Sequence, residues 1–85
     1  MPVRHVTVGS AVGLHARPAA LIAARAGEYD EEITLRAHDK APVDASSALL
    51  IMSIGAQQGD AVEVASDNPA AVEAIADLVA EDLDG

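Results

Sequence analysis

The chain has 85 residues, 51% of them apolar, with a formal net charge of −9 and no cysteine. A chain this short builds a single core, covering about 60–65% of the surface it exposes when unfolded. The missing cysteines exclude disulfides, thiolate chemistry and cysteine-ligated metals, and the negative charge repels nucleic acid and anionic membrane.

Tyr29 is the one aromatic residue, which leaves no platform on which bases or sugars can stack. Fourteen acidic residues against five basic ones fit a salt-rich cytoplasm, where screening makes repulsion tolerable, and fit equally an acidic surface with no such cause. Cationic patches on other proteins are the natural partners. The start of the chain lacks a charged segment followed by an apolar one, and no apolar run reaches about 18 residues. A single cytoplasmic domain spanning residues 1–85 is expected, without membrane insertion.

In "PVRHVTV", residues 2–8, Arg4, Val6 and Val8 share one side and His5 and Thr7 the other, the pattern of a half-buried strand. "GSAVGLH" is a loop. From Ala16 the period changes: Ala19, Ile22, Ala23 and Ala26 fall on one face of a short helix stopped by Gly27. After the polar turn "EYDE", Ile33 and Leu35 mark a second strand and Val43 a shorter third one. His38-Asp39 between them lacks the glycine of a tight hairpin, and Pro42 places the third strand at a sheet edge.

"SSALLIMSIG" reads as a short helix capped by Ser46 or Ser47 and ended by Gly55. Val62 and Val64 point inward from a fourth strand. Asn68-Pro69 then opens a helix whose buried face is Val72, Ile75, Ala76, Val79 and Leu83. Its end, "EDLDG", sets carboxylates against the negative pole of the helix, so fraying is expected there. The order βαββαβα fits an α+β fold with helices on one face of an antiparallel sheet.

The chemistry concentrates in "GLHARPAA", residues 13–20. His15 falls at the N-cap, where a neutral imidazole can accept from a first-turn amide through Nδ1, and the positive helix end disfavours its protonation. An unprotonated ring is a nucleophile. Pro18 at the third helical position breaks no intrahelical bond, while the amides of Ala16 and Arg17 and the Arg17 guanidinium would hold an anion placed on His15. Taken alone, His-x-Arg is more simply an unusual cap beside a solvated arginine.

The whole octet is more specific. It resembles the active-site signature of the histidine-containing phosphocarrier (HPr) family of the phosphoenolpyruvate:sugar phosphotransferase system, and "ASSALLIMSIGAQQGD" resembles that family's second motif. The resemblance runs over essentially the full chain. It implies an HPr-like open-faced β-sandwich, a four-stranded antiparallel sheet covered on one face by three helices. It further implies a phosphocarrier, not a stand-alone enzyme, whose histidine takes phosphate on Nδ1 from enzyme I and gives it to a sugar-permease IIA component.

On this resemblance His15 matches the phosphorylated histidine and Arg17 the arginine that steadies the phosphoryl group. Ser47, or less well Ser46, matches the serine that HPr kinase/phosphorylase modifies in some members, although Ser46 stands where lysine often precedes that serine. No cofactor or metal is implied, and a monomer is expected. Ala20, Ala48, Leu49 and Met52 would form an apolar docking patch beside His15; the alternative for Met52 is a gap-filler in the core. A relative serving a nitrogen or dihydroxyacetone branch, a purely regulatory relative, and an acyl carrier modified on Ser47 are the competing assignments. The D-S-L triplet usual in the last is absent here, where Ala45 separates Asp44 from Ser46, and the alternating strands contradict its all-helical bundle.

His5 and His38 have no partner at a metal spacing and read as an outward strand residue and a turn residue. "EYDEE" lacks the alternating ligands and central glycine of a calcium loop, and "GSAVG" is followed by no phosphate-loop lysine.

Overall fold

The computed structural model of the protein describes residues 2–37 and 40–81. Its elements are β1 (Val3–Thr7), α1 (Ala16–Ala26), β2 (Ile33–Ala37), β3 (Val43–Asp44), α2 (Ala48–Ser53), β4 (Ala61–Ser66) and α3 (Pro69–Ala80). This is the order read from the alternations and helical periods. The expectations for the His38-Asp39 connection, for His38 as a turn residue and for Leu83 fall outside the described residues.

The strands form one antiparallel sheet in the order β1-β4-β2-β3. β4 lies in the middle, so Val62 faces Val6 on one side while Val64 faces Leu35 on the other. All four point to the same face and are buried. β3, two residues long, occupies an edge as Pro42 suggested, and an edge this short offers little template for another chain. The three helices cover the valine-lined face, α1 lying between α2 and α3, with α3 on β1 and β4. Ile22, Leu35, Ile51 and Ile75 are fully buried, each contributing about 1.5–3 kcal/mol of burial. The other face of the sheet is open, and across it Arg36 Nε donates to Glu63 at 2.9 Å while His5 Nε2 lies 3.7 Å from the same carboxylate.

Arg4 shares the helix side of β1 with Val6 yet stays half-buried, because its guanidinium reaches Glu73 at 2.9 Å and Asp77 at 3.2 Å on α3. The stem packs and the charge stays paired. Asn68 caps α3, its Oδ1 accepting from Ala70 at 3.0 Å and Ala71 at 3.4 Å, with Pro69 following in the first turn.

Gly27 stops α1 as expected, while the fraying expected in "EDLDG" falls, beyond Glu81, outside the described residues. α3 stops at Ala80: Glu81 is extended, with φ −79° and ψ 153°. Its carbonyl accepts from Ser10 Oγ at 3.4 Å, and the neighbouring Gly9 N–H donates to Val79 O at 3.0 Å. The helix end is therefore closed by the loop after β1, and a Cβ on Gly9 would fall on the Ala80 carbonyl. Gly27 ends α1 without a left-handed cap, at φ −66°. The chain tightens instead, Glu28 and Tyr29 donating to Arg25 O and Ala26 O at 3.1 and 3.2 Å.

Candidate functional site

The path to His15 is fixed one residue ahead of it. Leu14 is buried, and its N–H donates to Ala56 O at 2.9 Å. Gly13, at φ +78°, lies so close beneath that an added Cβ would stand 2.5 Å from Ala56 O. A left-handed residue without a side chain is thus required where the loop crosses the segment after α2.

His15 then occupies the N-cap position of α1 with an extended backbone, φ −92° and ψ −162°, and its carbonyl accepts from Ala19 at 2.9 Å. The residue is exposed, as are Ala16 and Arg17, while Pro18, Ala19 and Ile22 are buried and seat the helix on the core. The sequence therefore puts His15 and Arg17, the expected site residues, on the outward side of the first turn by giving the inward side to Pro18 and Ala19. The amides of Ala16 and Arg17 belong to the helix's first turn and have no intrahelical acceptor, so the mouth of α1 is electropositive beside the imidazole.

One expectation is corrected: the His15 side chain makes no cap hydrogen bond. Caps accept from the second or third helical amide, and here the third position is Pro18, which has none. His15 holds the cap position with its extended backbone and without a side-chain cap bond.

The docking residues divide. Ala20 is exposed and Leu49 is 75% exposed, whereas Ala48 and Met52 are half-buried against the core. Met52 packs on the core, as the alternative for it had it, and also lines a shallow cleft with His15, Val12 and Gln57. Val12, 60% exposed, and Leu21, 43% exposed, extend the apolar surface beyond the expected patch. Leu21 lies off the Ala19–Ile22–Ala26 stripe, a signal present in the sequence; Val12 stands in a loop where no period applies. None of the fourteen acidic residues lies in 9–27 or 45–59, the segments that carry α1 and α2.

Ser47 caps α2, its Oγ accepting from Leu50 at 3.3 Å. Ser46 does not cap: its hydroxyl and amide donate to Asp44 Oδ1 at 2.7 and 2.9 Å. These bonds, the hydroxyl's first, hold the Asp44 carboxyl below its ordinary value. A depressed folded value stabilises the fold above the ordinary carboxylate range, and this stabilisation is lost as pH falls through the folded value. Ser46→Ala is expected to raise the titration midpoint of Asp44 and to shrink its share of the stability difference between neutral and acid pH. A carboxyl-carbon NMR titration that finds the midpoint unmoved contradicts this.

An exposed histidine at a helix mouth, with arginine two residues on, places the chain among small α+β proteins that present a side chain at the surface instead of enclosing a substrate. The family model described as the PTS HPr component phosphorylation site matches residues 3–81. The phosphocarrier protein HPr of Streptomyces coelicolor is 42% identical, with 99% of this chain and 94% of that protein covered. The phosphocarrier protein NPr of Klebsiella oxytoca is 29% identical over 88% of this chain and 83% of its own length. The crystal structure of HPr-C-His from Thermoanaerobacter tengcongensis superposes with a TM-score of 0.88 at 31% identity, covering 100% of this chain and 98% of that one. The chain belongs to the HPr family of phosphocarrier proteins of the phosphotransferase system. The open-faced sandwich implied by the octet is the fold observed.

Proposed function

We propose that His15 accepts a phosphoryl group on Nδ1 from phospho-enzyme I and passes it to a sugar-permease IIA component. The observation that carries this reading is the exposed His15 at the electropositive mouth of α1, with Arg17 exposed two residues on. In the forward step the Nδ1 lone pair attacks phosphorus, the bond from phosphorus to the donor breaks, and the leaving group keeps that electron pair. The Ala16 and Arg17 amides and the Arg17 guanidinium offset the charge on the phosphoryl oxygens. One exposed arginine is a moderate hold, so the group can leave again in the second step; a buried cluster of cations would retain it.

Docking is assigned to the apolar surface of Ala20, Ala48, Leu49 and Met52, extended by Val12 and Leu21. The chain is a carrier used once per transfer, not a catalyst. Of the two serines, Ser47 is the candidate for HPr kinase/phosphorylase, because Ser46 donates its hydroxyl to Asp44 whereas Ser47 accepts. No helix among the described residues is long and apolar enough to cross a membrane, and the family supports a cytoplasmic setting. The higher identity to an HPr than to an NPr favours the sugar branch over a nitrogen branch. The four-stranded sheet removes the acyl-carrier alternative.

Incubation with phosphoenolpyruvate and enzyme I tests the reading. The label should be lost in acid and survive base; an acid-stable label refutes it. Arg17→Ala is expected to slow transfer roughly 10–100-fold by removing one charge-stabilising donor. Its melting temperature should stay within about 3 °C of wild type, as for other exposed substitutions. A collapse in stability would instead make Arg17 a structural residue.

A further inference from the structure

Lys40, the chain's single lysine, is exposed beyond the end of β2, where its N–H donates to Ala37 O at 3.0 Å. Its side chain reaches across to α2, and Nζ donates to Ile54 O at 2.8 Å. Ile54 is the C-cap of that helix, where a cation is favoured by the negative pole and by an unfilled carbonyl. Two residues later Ala56 gives its carbonyl to Leu14 at 2.9 Å, and Leu14 is bonded directly to His15.

Between these two anchors stands Gly55, at φ +71°, and a Cβ there would meet nothing within 4 Å. Its N–H is tied back to Met52 O at 3.1 Å, but no side chain of its own anchors it, and glycine is the residue with most backbone freedom to lose. The positive φ makes Gly55 the point where the segment turns away from α2, and Lys40 clamps the carbonyl on the helix side of that turn. On the far side Gln57 N–H is held by Asp60 Oδ2 at 2.9 Å. Among the described residues no other side chain donates to Ile54 O.

We propose that Lys40 is a positioning residue for phosphoryl transfer: by holding Ile54 O it fixes the turn at Gly55, keeps Ala56 where it receives Leu14, and so sets His15 at the mouth of α1. Lys40 touches no reacting atom. The proposal rests on the reading of His15 as phosphoryl acceptor, a reaction in which misplacement of the nucleophile by about 1 Å can cost as much as 10²-fold.

Lys40→Met keeps the aliphatic stem and removes the donors. In that variant the Leu14 amide should exchange with solvent about tenfold faster by local opening. The maximal rate of transfer from enzyme I should fall roughly tenfold, with the half-saturating concentration of enzyme I unchanged. Lys40→Arg, which keeps a donor, should restore both. Arg4→Met, cutting the β1–α3 ion pairs away from His15, controls for stability and should leave Leu14 exchange and transfer near wild type. Unchanged Leu14 exchange in Lys40→Met overturns the proposal, as does a change in half-saturation alone or equal effects in Arg4→Met. Wild-type protein that takes no label on His15 refutes the functional reading instead, and Leu14 exchange then still decides whether the clamp exists.

Discussion

His15→Ala is expected to lose all acid-labile phosphate, a fall of more than about 10³-fold in the rate of incorporation, because no other group at the mouth of α1 can supply the nucleophile. Arg17 is a cation and the helix amides are donors; neither offers a lone pair. His5 is well exposed, but it stands on the open face of the sheet with the Glu63 carboxylate 3.7 Å away, and that charge repels an incoming phosphoryl group. His5→Ala and His38→Ala should therefore keep full labelling. His15 is exposed, so its replacement should leave the melting temperature within about 3 °C of wild type, as for other exposed substitutions. Intact-mass spectrometry at neutral pH separates these outcomes, and label persisting in His15→Ala would remove the basis of the proposed function.

Gly13→Ala should produce the largest loss of stability among changes near the site. The new Cβ would stand 2.5 Å from Ala56 O and 2.9 Å from Gln57 Cα. Both obstacles are backbone, so neither can rotate away. A non-glycine residue at φ +78° adds about 1–2 kcal/mol of left-handed strain. Together these should cost about 2–3 kcal/mol and lower the melting temperature by about 10–20 °C, a large share of the ~4–13 kcal/mol available to a chain of this length. Relief requires the loop to lift off the 56–57 segment, breaking the Leu14–Ala56 bond and displacing His15. Transfer should therefore fall even at temperatures where the variant is folded. Melting by circular dichroism and a transfer assay well below the midpoint check the two parts separately, and a variant as stable as wild type would contradict the close approach.

What the sequence disclosed followed from periodicity. Strands at Val3–Thr7 and Ala61–Ser66 showed as alternation, α1 and α3 as apolar stripes, and the caps at Ser47 and Asn68 as oxygen-bearing side chains before a helix. These are local signals, each complete within a few residues. The pairing of β4 between β1 and β2 has no such signal, since it depends on which valine faces are buried together. Nor does any local signal say what Arg4 meets on the apolar side of β1: its partners Glu73 and Asp77 lie 69 and 73 residues away on α3.

At the site, the octet placed His15 and Arg17 correctly on the first turn, but it suggested a side-chain cap that Pro18 leaves without its amide. The choice between Ser46 and Ser47 turned on Asp44, whose carboxylate captures the first and frees the second for α2. The Lys40–Ile54 bond joins a strand end to a helix end 14 residues away; no spacing rule announces a lysine that caps at a distance.

The absence of acidic residues from 9–27 and 45–59 has an effect on crowding. Copies of the chain, each with nine excess negative charges, push one another away across the acidic remainder of the surface. An oily window such as Leu21 and Leu49 present would otherwise invite self-sticking as concentration rises. Mutual repulsion keeps that window vacant for a visitor of different charge, and added salt should erode the protection.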